Sequence, residues 1–200
     1  MVEKADYNFK VVTVGDGACG KTSMLMTYVK GIFPTEYVPT IFENHTKRVQ
    51  LVNGKTVEFL LVDTAGQEDY ARLRPLSYAN VDMIIIAYSI DSFTSLENVI
   101  EKWWPEVKHH CAKGTPMMLV GMKEDVRNDP QVIDIMKQQG YMGPVPYDKG
   151  VQVSQQIGRV PFLECSAKEG TGLYEIFDRI VNILVPPERE TSGGCSCAIM

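Results

Sequence analysis

The chain has 200 residues, of which 44% are hydrophobic and 22% are charged, a composition typical of one globular domain. It excludes collagen-like, coiled-coil and wholly disordered chains. The formal charge of −5 disfavours sequence-independent nucleic-acid binding, which needs clustered positive charge, so we expect no nucleic-acid partner.

The five cysteines, at positions 19, 111, 165, 195 and 197, match neither a disulfide framework nor a zinc site. This spacing predicts a reducing, cytoplasmic compartment. We expect no bilayer-spanning segment and no secretory signal, because no apolar run is long enough and the first residues lack a basic stretch followed by an apolar one. Residues 1–185 are predicted to form the domain, and residues 186–200, rich in Pro, Gly and Ser, a flexible tail.

Apolar runs rich in β-branched residues recur along the chain and predict strands that are buried on both faces, as in a parallel sheet. They are Phe9–Val14, Val57–Val62, Met83–Tyr88, Met117–Val120 and Phe162–Cys165.

Segments whose apolar residues have helical spacing separate several of these runs. These predicted helices are Lys21–Lys30, Ser95–Lys108 and Leu173–Leu184. The pair Asn53-Gly54, preceded by Thr46–Gln50, predicts a hairpin and therefore one antiparallel edge strand. The fold class predicted is α/β: a doubly wound, mostly parallel six-stranded sheet with one antiparallel edge strand and helices on both faces.

A glycine-rich loop follows the first predicted strand and opens the first helix. It reads Gly15-Asp16-Gly17-Ala18-Cys19-Gly20-Lys21-Thr22 and fits G-x-x-x-x-G-K-[ST]. Its glycines let successive N–H groups face phosphate oxygens, Lys21 would reach the β- and γ-phosphates, and Thr22 would ligate Mg²⁺. An accidental glycine-rich turn is the alternative, but the strand–loop–helix context favours a nucleoside-triphosphate site.

The segment that begins at Asp63 follows the strand Val57–Val62. Asp63 could hold Mg²⁺ through water, the N–H of Gly66 could meet a γ-phosphate, and Gln67 could orient the attacking water. The pattern D-x-x-G, here Asp63 to Gly66, is by itself most often a turn. Its position after a core strand is what favours a metal and phosphate site.

Two further segments favour guanine as the base. Asp125, after the strand that starts at Met117, could accept the N1–H and 2-amino donors of guanine, which adenine lacks. A backbone N–H of Ser166-Ala167-Lys168, after the strand Phe162–Cys165, could meet guanine O6. Each segment alone could be a solvated charged loop, whereas their order after successive strands favours GTP.

With these motifs the chain resembles the Rho family of the Ras superfamily of small GTPases over essentially its whole length. The resemblance is carried by GDGACGKT (15–22), FPTEYVPTIFEN (33–44), DTAGQEDYARLRPLSY (63–78), SIDSFTSLENV (89–99), EKWWPEVKHHC (101–111), VGMKEDVRND (120–129) and ECSAKEG (164–170). An extra stretch, about residues 130–146, stands where Rho proteins carry an insert helix.

The resemblance implies a switch that binds GTP or GDP with Mg²⁺, hydrolyses GTP slowly and relaxes when the γ-phosphate leaves. Thr40 would join Mg²⁺ coordination, Tyr37 would cover the phosphates, Phe33 would pack against the guanine and Lys123 would stack its stem on the base. Catalysis would rest on Gln67, Lys21, Thr40 and Gly66, and the metal site on Thr22, Thr40 and Asp63. The nucleotide-binding positions of the loop and helix would be Gly15, Gly17, Ala18, Cys19, Gly20, Lys21, Thr22 and Ser23.

The partners implied are exchange factors, GTPase-activating proteins that supply an arginine in trans, a guanine dissociation inhibitor, and effectors such as formins or kinases. Through effectors bound at the switch regions, the protein would control actin, cell shape and motility as a monomer. Two departures from the family stand out. Met122 replaces the usual Asn or Thr and predicts faster nucleotide exchange, and Val62 replaces a Trp that contacts exchange factors.

The last four residues, Cys197-Ala198-Ile199-Met200, form a C-a-a-X ending that favours farnesyl on Cys197. One lipid binds membranes only marginally, and the tail lacks a basic stretch, so Cys195 is the candidate for palmitoylation. The protein would then cycle between cytoplasm and the cytoplasmic face of the plasma membrane. Two other classes stay open at this point: an ATP-using P-loop enzyme, and a nucleotide-bound scaffold with little hydrolysis.

Overall fold

The computed structural model describes residues 4–35 and 42–187. Within them one six-stranded sheet has the order β2-β3-β1-β4-β5-β6. Its strands are β1 (Tyr7–Gly15), β2 (Phe42–Gln50), β3 (Thr56–Thr64), β4 (Met83–Ser89), β5 (Met117–Met122) and β6 (Phe162–Cys165). Only the edge pair β2–β3 is antiparallel among these strands. The predicted sheet, with its single antiparallel edge strand, is confirmed.

The described α-helices follow β1, β4, β5 and β6. They are α1 (Lys21–Lys30), α2 (Phe93–Asn98), α3 (Trp104–His110), α4 (Pro130–Gln138), α5 (Tyr147–Gln156) and α6 (Leu173–Leu184). Short 3₁₀ helices lie at Glu68–Tyr70, Arg74–Tyr78 and Glu124–Asn128. The predicted helix Ser95–Lys108 is in fact two helices, α2 and α3, joined by a π-helical turn at Val99–Trp103. Helix α4 lies in the predicted insert, whereas α5 was not predicted.

Both faces of the sheet are covered, which is why its central strands are apolar at consecutive positions. On one face α1 and α6 pack together, with the rings of Tyr28 and Phe177 stacked at 3.5 Å between centroids. On the other face Trp103, from the α2–α3 stretch, is fully buried in a cluster that also includes Val153 of α5. Among the described residues, no helix combines the length and the apolar character needed to cross a bilayer.

Strand β1 is central to the position of the site. It pairs in parallel with β3 on one side and β4 on the other, so the chain winds away from it in both directions. In doubly wound sheets, ligands bind at the carboxyl ends of the strands beside such a switch point. The loop that begins at Gly15 leaves β1 at this place.

Candidate nucleotide-binding site

A cleft of about 730 Å³ opens at the carboxyl end of β1. Most of the predicted phosphate-binding positions line it. They are Gly17, Ala18, Gly20, Lys21, Thr22 and Ser23, together with Phe33, Gly66, Gln67 and Lys123. Segments far apart in sequence therefore contribute to one cavity large enough for a nucleotide.

Two glycines are required by close backbone contacts at the floor of the cleft. A Cβ on Gly15, whose φ is +147°, would lie 2.3 Å from the carbonyl oxygen of Ala87. A Cβ on Gly66 would lie 2.3 Å from the backbone nitrogen of Gly17. Because no side chain fits at Gly66, the loop after β3 can touch the P-loop backbone directly.

The ammonium group of Lys21 is held under the P-loop. Nζ donates to the carbonyl oxygens of Gly15 at 2.9 Å and Asp16 at 2.8 Å, and the residue is 6% exposed. These contacts keep a positive charge at the bottom of the cleft, where the phosphates of a nucleotide would lie.

Thr22 and Asp63 form the candidate metal centre. The hydroxyl of Thr22 donates to Oδ2 of Asp63 at 2.5 Å, although the two residues are 41 positions apart in sequence. Hydroxyl and carboxylate oxygens are the ligands that Mg²⁺ prefers. In the described part of the chain no group of three or more His, Cys, Asp or Glu side chains is arranged to bind a metal. Mg²⁺ usually also keeps water and substrate phosphate oxygens among its ligands.

Gln67 lies over the P-loop at the mouth of the cleft and is exposed. A Cβ placed on Gly17 would be 3.8 Å from Cγ of Gln67. Cγ of Gln67 is thus within van der Waals reach of position 17, and a branched side chain there would crowd it.

The predicted base-binding loops meet each other beside the cleft. The hydroxyl of Ser166 donates to Oδ1 of Asp125 at 2.6 Å, and Nζ of Lys168 lies 4.0 Å from Oδ2. The N–H of Ser166 donates to the carbonyl oxygen of Thr171. Within the described residues the N–H groups of Ala167 and Lys168 have no such partner, so these two members of the segment have N–H groups available to guanine O6.

Lys123 connects these loops to the cleft. Its φ is +65°, and its ammonium group lies 3.0 Å from Oδ2 of Asp91, just beyond the end of β4. Phe33, 38% exposed, lines the cleft with it. Asp91 was not among the predicted site residues. Its position near the carboxyl end of a core strand, as for Asp63, was the signal that could have found it.

Met122 is buried behind the base loops and packs in an apolar, sulfur-rich cluster. The thiol of Cys165 donates to Sδ of Met122 at 3.7 Å, and a Cβ on Gly20 would be 3.5 Å from Cβ of Met122. Burial raises the pKa of the Cys165 thiol to about 12, and burial also raises the pKa of Cys19 despite the nearby Lys21 charge. Both thiols are therefore neutral near pH 7.

Arg74, in the loop after β3, is another site residue that the sequence did not reveal. Its side chain is 1% exposed; Nη1 donates to the carbonyl oxygen of Ala65 at 2.8 Å, and Nε donates to Oε1 of Glu106 at 2.7 Å. The same Glu106 oxygen accepts from the hydroxyl of Tyr78 at 2.5 Å. Arg74 therefore fixes the backbone just before Gly66. No sequence motif marks the distant Glu106 as its partner.

Some predicted positions are not in the cleft lining or not described. Seven of the described predicted residues adjoin the cleft without lining it: Gly15, Cys19, Asp63, Asp125, Ser166, Ala167 and Lys168. Tyr37, Thr40, Cys195 and Cys197 lie outside the described residues.

This geometry is that of a P-loop nucleotide-binding protein: a phosphate loop follows β1, and a carboxylate–hydroxyl pair lies beside it. The Ras family model matches residues 10–185. "GTP-binding protein RHO1" of Candida albicans is 53% identical over 193 residues, covering 96% of both chains. "GTP-binding protein RHO1" of Saccharomyces cerevisiae is 50% identical over 184 residues, covering 92% of this chain and 87% of the relative. "GTP-binding protein rho4" of Schizosaccharomyces pombe is 46% identical over 198 residues, covering 98% and 96%. The chain belongs to the Ras family and is a Rho-like small GTPase.

Proposed function

We propose that this GTPase works as a nucleotide-dependent switch whose active site is the cleft at the end of β1. The observation that supports this most is that Lys21 and Thr22 meet Asp63 and Gln67 there, from two segments about 40 residues apart in sequence. Competition binding tests the proposal. Excess GDP should displace a fluorescent GTP analogue, whereas ATP at the same concentration should not. Displacement by ATP would instead support an ATP-using P-loop enzyme.

The residues of the cleft have distinct roles in this proposal. P-loop N–H groups and Lys21 bind the phosphates and stabilise charge that develops on them during hydrolysis. Gln67 orients the attacking water, and Gly66 contacts the γ-phosphate. Thr22 and Asp63, with Thr40, would hold Mg²⁺, which neutralises charge on the phosphate oxygens when bound.

The lining of the cleft within the described residues includes no arginine, and Arg74 is committed to Ala65 and Glu106. Slow intrinsic hydrolysis, accelerated by a GTPase-activating protein that inserts an arginine, fits this lining. A measured hydrolysis rate also separates the switch from a nucleotide-bound scaffold, for which hydrolysis would be absent with or without an activating protein.

The regulatory partners would be exchange factors, activating proteins, a dissociation inhibitor and effectors such as formins or kinases that act on actin and cell shape. Val62 is 1% exposed on β3, so this side chain offers little surface to an exchange factor. Exchange-factor choice would then depend on exposed side chains of the segment after β3, such as Leu73 and Leu76, which are 59% and 74% exposed. Recovery of proteins with GTP-locked and GDP-locked forms would identify the effectors.

We predict that Met122→Asn slows the release of bound GDP. A thioether offers no donor to brace the base loops against the P-loop, whereas an Asn amide at this position could donate and accept. Release of a fluorescent GDP analogue into excess unlabelled GDP measures the rate. Met122→Leu is the matched control, since it keeps the apolar volume and should release GDP at the wild-type rate. Release from Met122→Asn at or above that rate would contradict the prediction.

We further propose that residues 1–185 form the GTPase domain and residues 186–200 a tail that carries prenyl on Cys197 and palmitoyl on Cys195. Two lipids would provide stable anchoring to the plasma membrane where one does not. Cys195→Ser should therefore move the protein from membrane to cytosol while Cys197 is still prenylated. Cys111→Ser, in the domain, is the control and should leave the distribution unchanged. If fractionation shows Cys195→Ser still on the membrane, the second-lipid proposal is wrong.

A further inference from the structure

The carboxylate of Asp16 is turned away from the nucleotide cleft and toward the α2–α3 stretch. Within the described residues the cleft lining includes Gly17 but not Asp16. Oδ2 of Asp16 accepts from Nδ2 of Asn98, and Oδ1 accepts from Nε1 of Trp103, both at 2.7 Å. Asp16 therefore uses both carboxylate oxygens to tie the P-loop to residues 82 and 87 positions away.

The π-helical turn explains how both donors reach one carboxylate. In an α-helix, with about 3.6 residues per turn, residues five apart lie about 140° from each other around the axis. A π-turn closes hydrogen bonds between residues five apart and so brings Asn98 and Trp103 to the same side. The turn spans Val99–Trp103, directly after Asn98. A regular α-helix here would leave one donor pointing away from Asp16.

Trp103 also contacts the loop that carries Gln67. The guanidinium of Arg74 lies 4.5 Å from the centroid of the indole ring, and the same side chain holds the carbonyl oxygen of Ala65. Lys102, whose Nζ lies 4.8 Å from that centroid, reaches Glu68 at 3.4 Å. The indole is fully buried between these groups, so one side chain touches both loops of the candidate site.

The two loops meet at the peptide that Asp16 helps to hold. A Cβ on Gly66 would lie 2.3 Å from the carbonyl carbon of Asp16 and the nitrogen of Gly17. A shift of this peptide would therefore move Gly17 relative to Gly66 and Gln67. Hydrolysis depends steeply on such positions, whereas nucleotide affinity is spread over many phosphate and base contacts.

We propose that Asp16, Asn98 and Trp103 form a clamp that positions the P-loop against the Gln67 loop and thereby sets the rate of GTP hydrolysis rather than nucleotide affinity. The three are positioning residues, since Asp16 lies outside the cleft lining. The proposal rests on the function proposed above. The clamp gives a role in catalysis to the side of the α2–α3 stretch that faces Asp16.

The clamp itself can be observed through the indole N–H of Trp103. The chain has two tryptophans, so an ¹H–¹⁵N spectrum shows two indole signals, and Trp103→Phe assigns them. In Asp16→Ala the Trp103 signal should move upfield and its N–H should exchange faster with solvent, because a charged acceptor is lost. The Trp104 signal should stay in place. An unchanged Trp103 signal in Asp16→Ala would overturn the clamp.

Single-turnover GTP hydrolysis and GDP affinity, measured in the clamp variants, test the function of the clamp. Asp16→Ala and Trp103→Phe should each hydrolyse GTP about tenfold more slowly while the Kd for GDP changes less than about threefold. Asp16→Asn keeps one acceptor oxygen and should be intermediate. Trp104→Phe, the same change one residue along, should match the wild type.

The assay also separates failure of the clamp from failure of the proposed active site. If the wild type hydrolyses GTP and Gln67→Leu does not, the active site stands. Wild-type rates in Asp16→Ala would then overturn the clamp alone. Equal losses in rate and in affinity, or an equal loss in Trp104→Phe, would also overturn it, since they indicate general destabilisation.

Discussion

Gln67→Leu is expected to reduce single-turnover GTP hydrolysis by about 100-fold, which is typical for removing one positioned hydrogen-bonding group from an active site. Leucine has a similar size but cannot orient a water molecule. Gln67 is exposed at the mouth of the cleft and close to Gly17, so the change should leave the P-loop and Lys21 undisturbed. The Kd for GTP should therefore stay near the wild-type value, and the variant should accumulate in the GTP-bound form.

Purified protein loaded with GTP, followed by the phosphate released in one turnover, measures this effect. Gln152→Leu is the matched control, because it makes the same change at an exposed position on α5, away from the cleft. It should hydrolyse GTP at the wild-type rate. Unchanged hydrolysis in Gln67→Leu would show that another group orients the water.

Asp125→Asn is expected to weaken GTP binding by roughly 100-fold or more. The substitution removes the negative charge and replaces one of the two carboxylate oxygens, which would accept from guanine N1–H and the 2-amino group, with an amide NH₂ that donates. The structure fixes which atom changes. Ser166 donates to Oδ1, which Asn retains as its carbonyl oxygen, so the amide NH₂ takes the place of Oδ2 beside Lys168. That NH₂ would face the 2-amino group of guanine, donor against donor.

Xanthine carries a carbonyl oxygen where guanine has the 2-amino group, so the same NH₂ can donate to it. The expected result is that xanthosine triphosphate binds Asp125→Asn more tightly than it binds the wild type, while GTP binds more weakly. Asp129→Asn is the control, since Asp129 caps α4 through Oδ1 and Asn caps almost equally well. Equal loss of both nucleotides in Asp125→Asn would indicate damage to the loop rather than a change in base recognition.

The sheet and the phosphate loop could be predicted from the sequence because both depend on neighbouring residues. Consecutive apolar residues predict strands buried on both faces, and Asn53-Gly54 predicts the hairpin that places β2 at the edge. The P-loop is equally local, since strand, loop and helix follow one another within residues 7–30. The helical stretch after β4 was predicted as one helix because apolar spacing alone does not distinguish a π-turn from an α-turn.

The partners of the site residues were decided by the tertiary structure. No local pattern links Asp16 to Trp103, Asp125 to Ser166, or Arg74 to Glu106. Each pair joins segments that are distant in sequence, and its geometry depends on helix phase and on strand order, which only packing of the whole domain defines.

The sequence by itself therefore determined the class of protein and the fold, and it predicted the candidate site residues that belong to motifs, since these follow from local spacing and from motif order. Only the tertiary structure decided which side chains hold those residues in place. Strand order brings the ends of β1, β3, β5 and β6 to one edge, and the π-turn directs Asn98 and Trp103 at Asp16. The physical reason is that hydrogen bonds of this kind require positioning to within a few tenths of an ångström, which depends on all the packing beneath them.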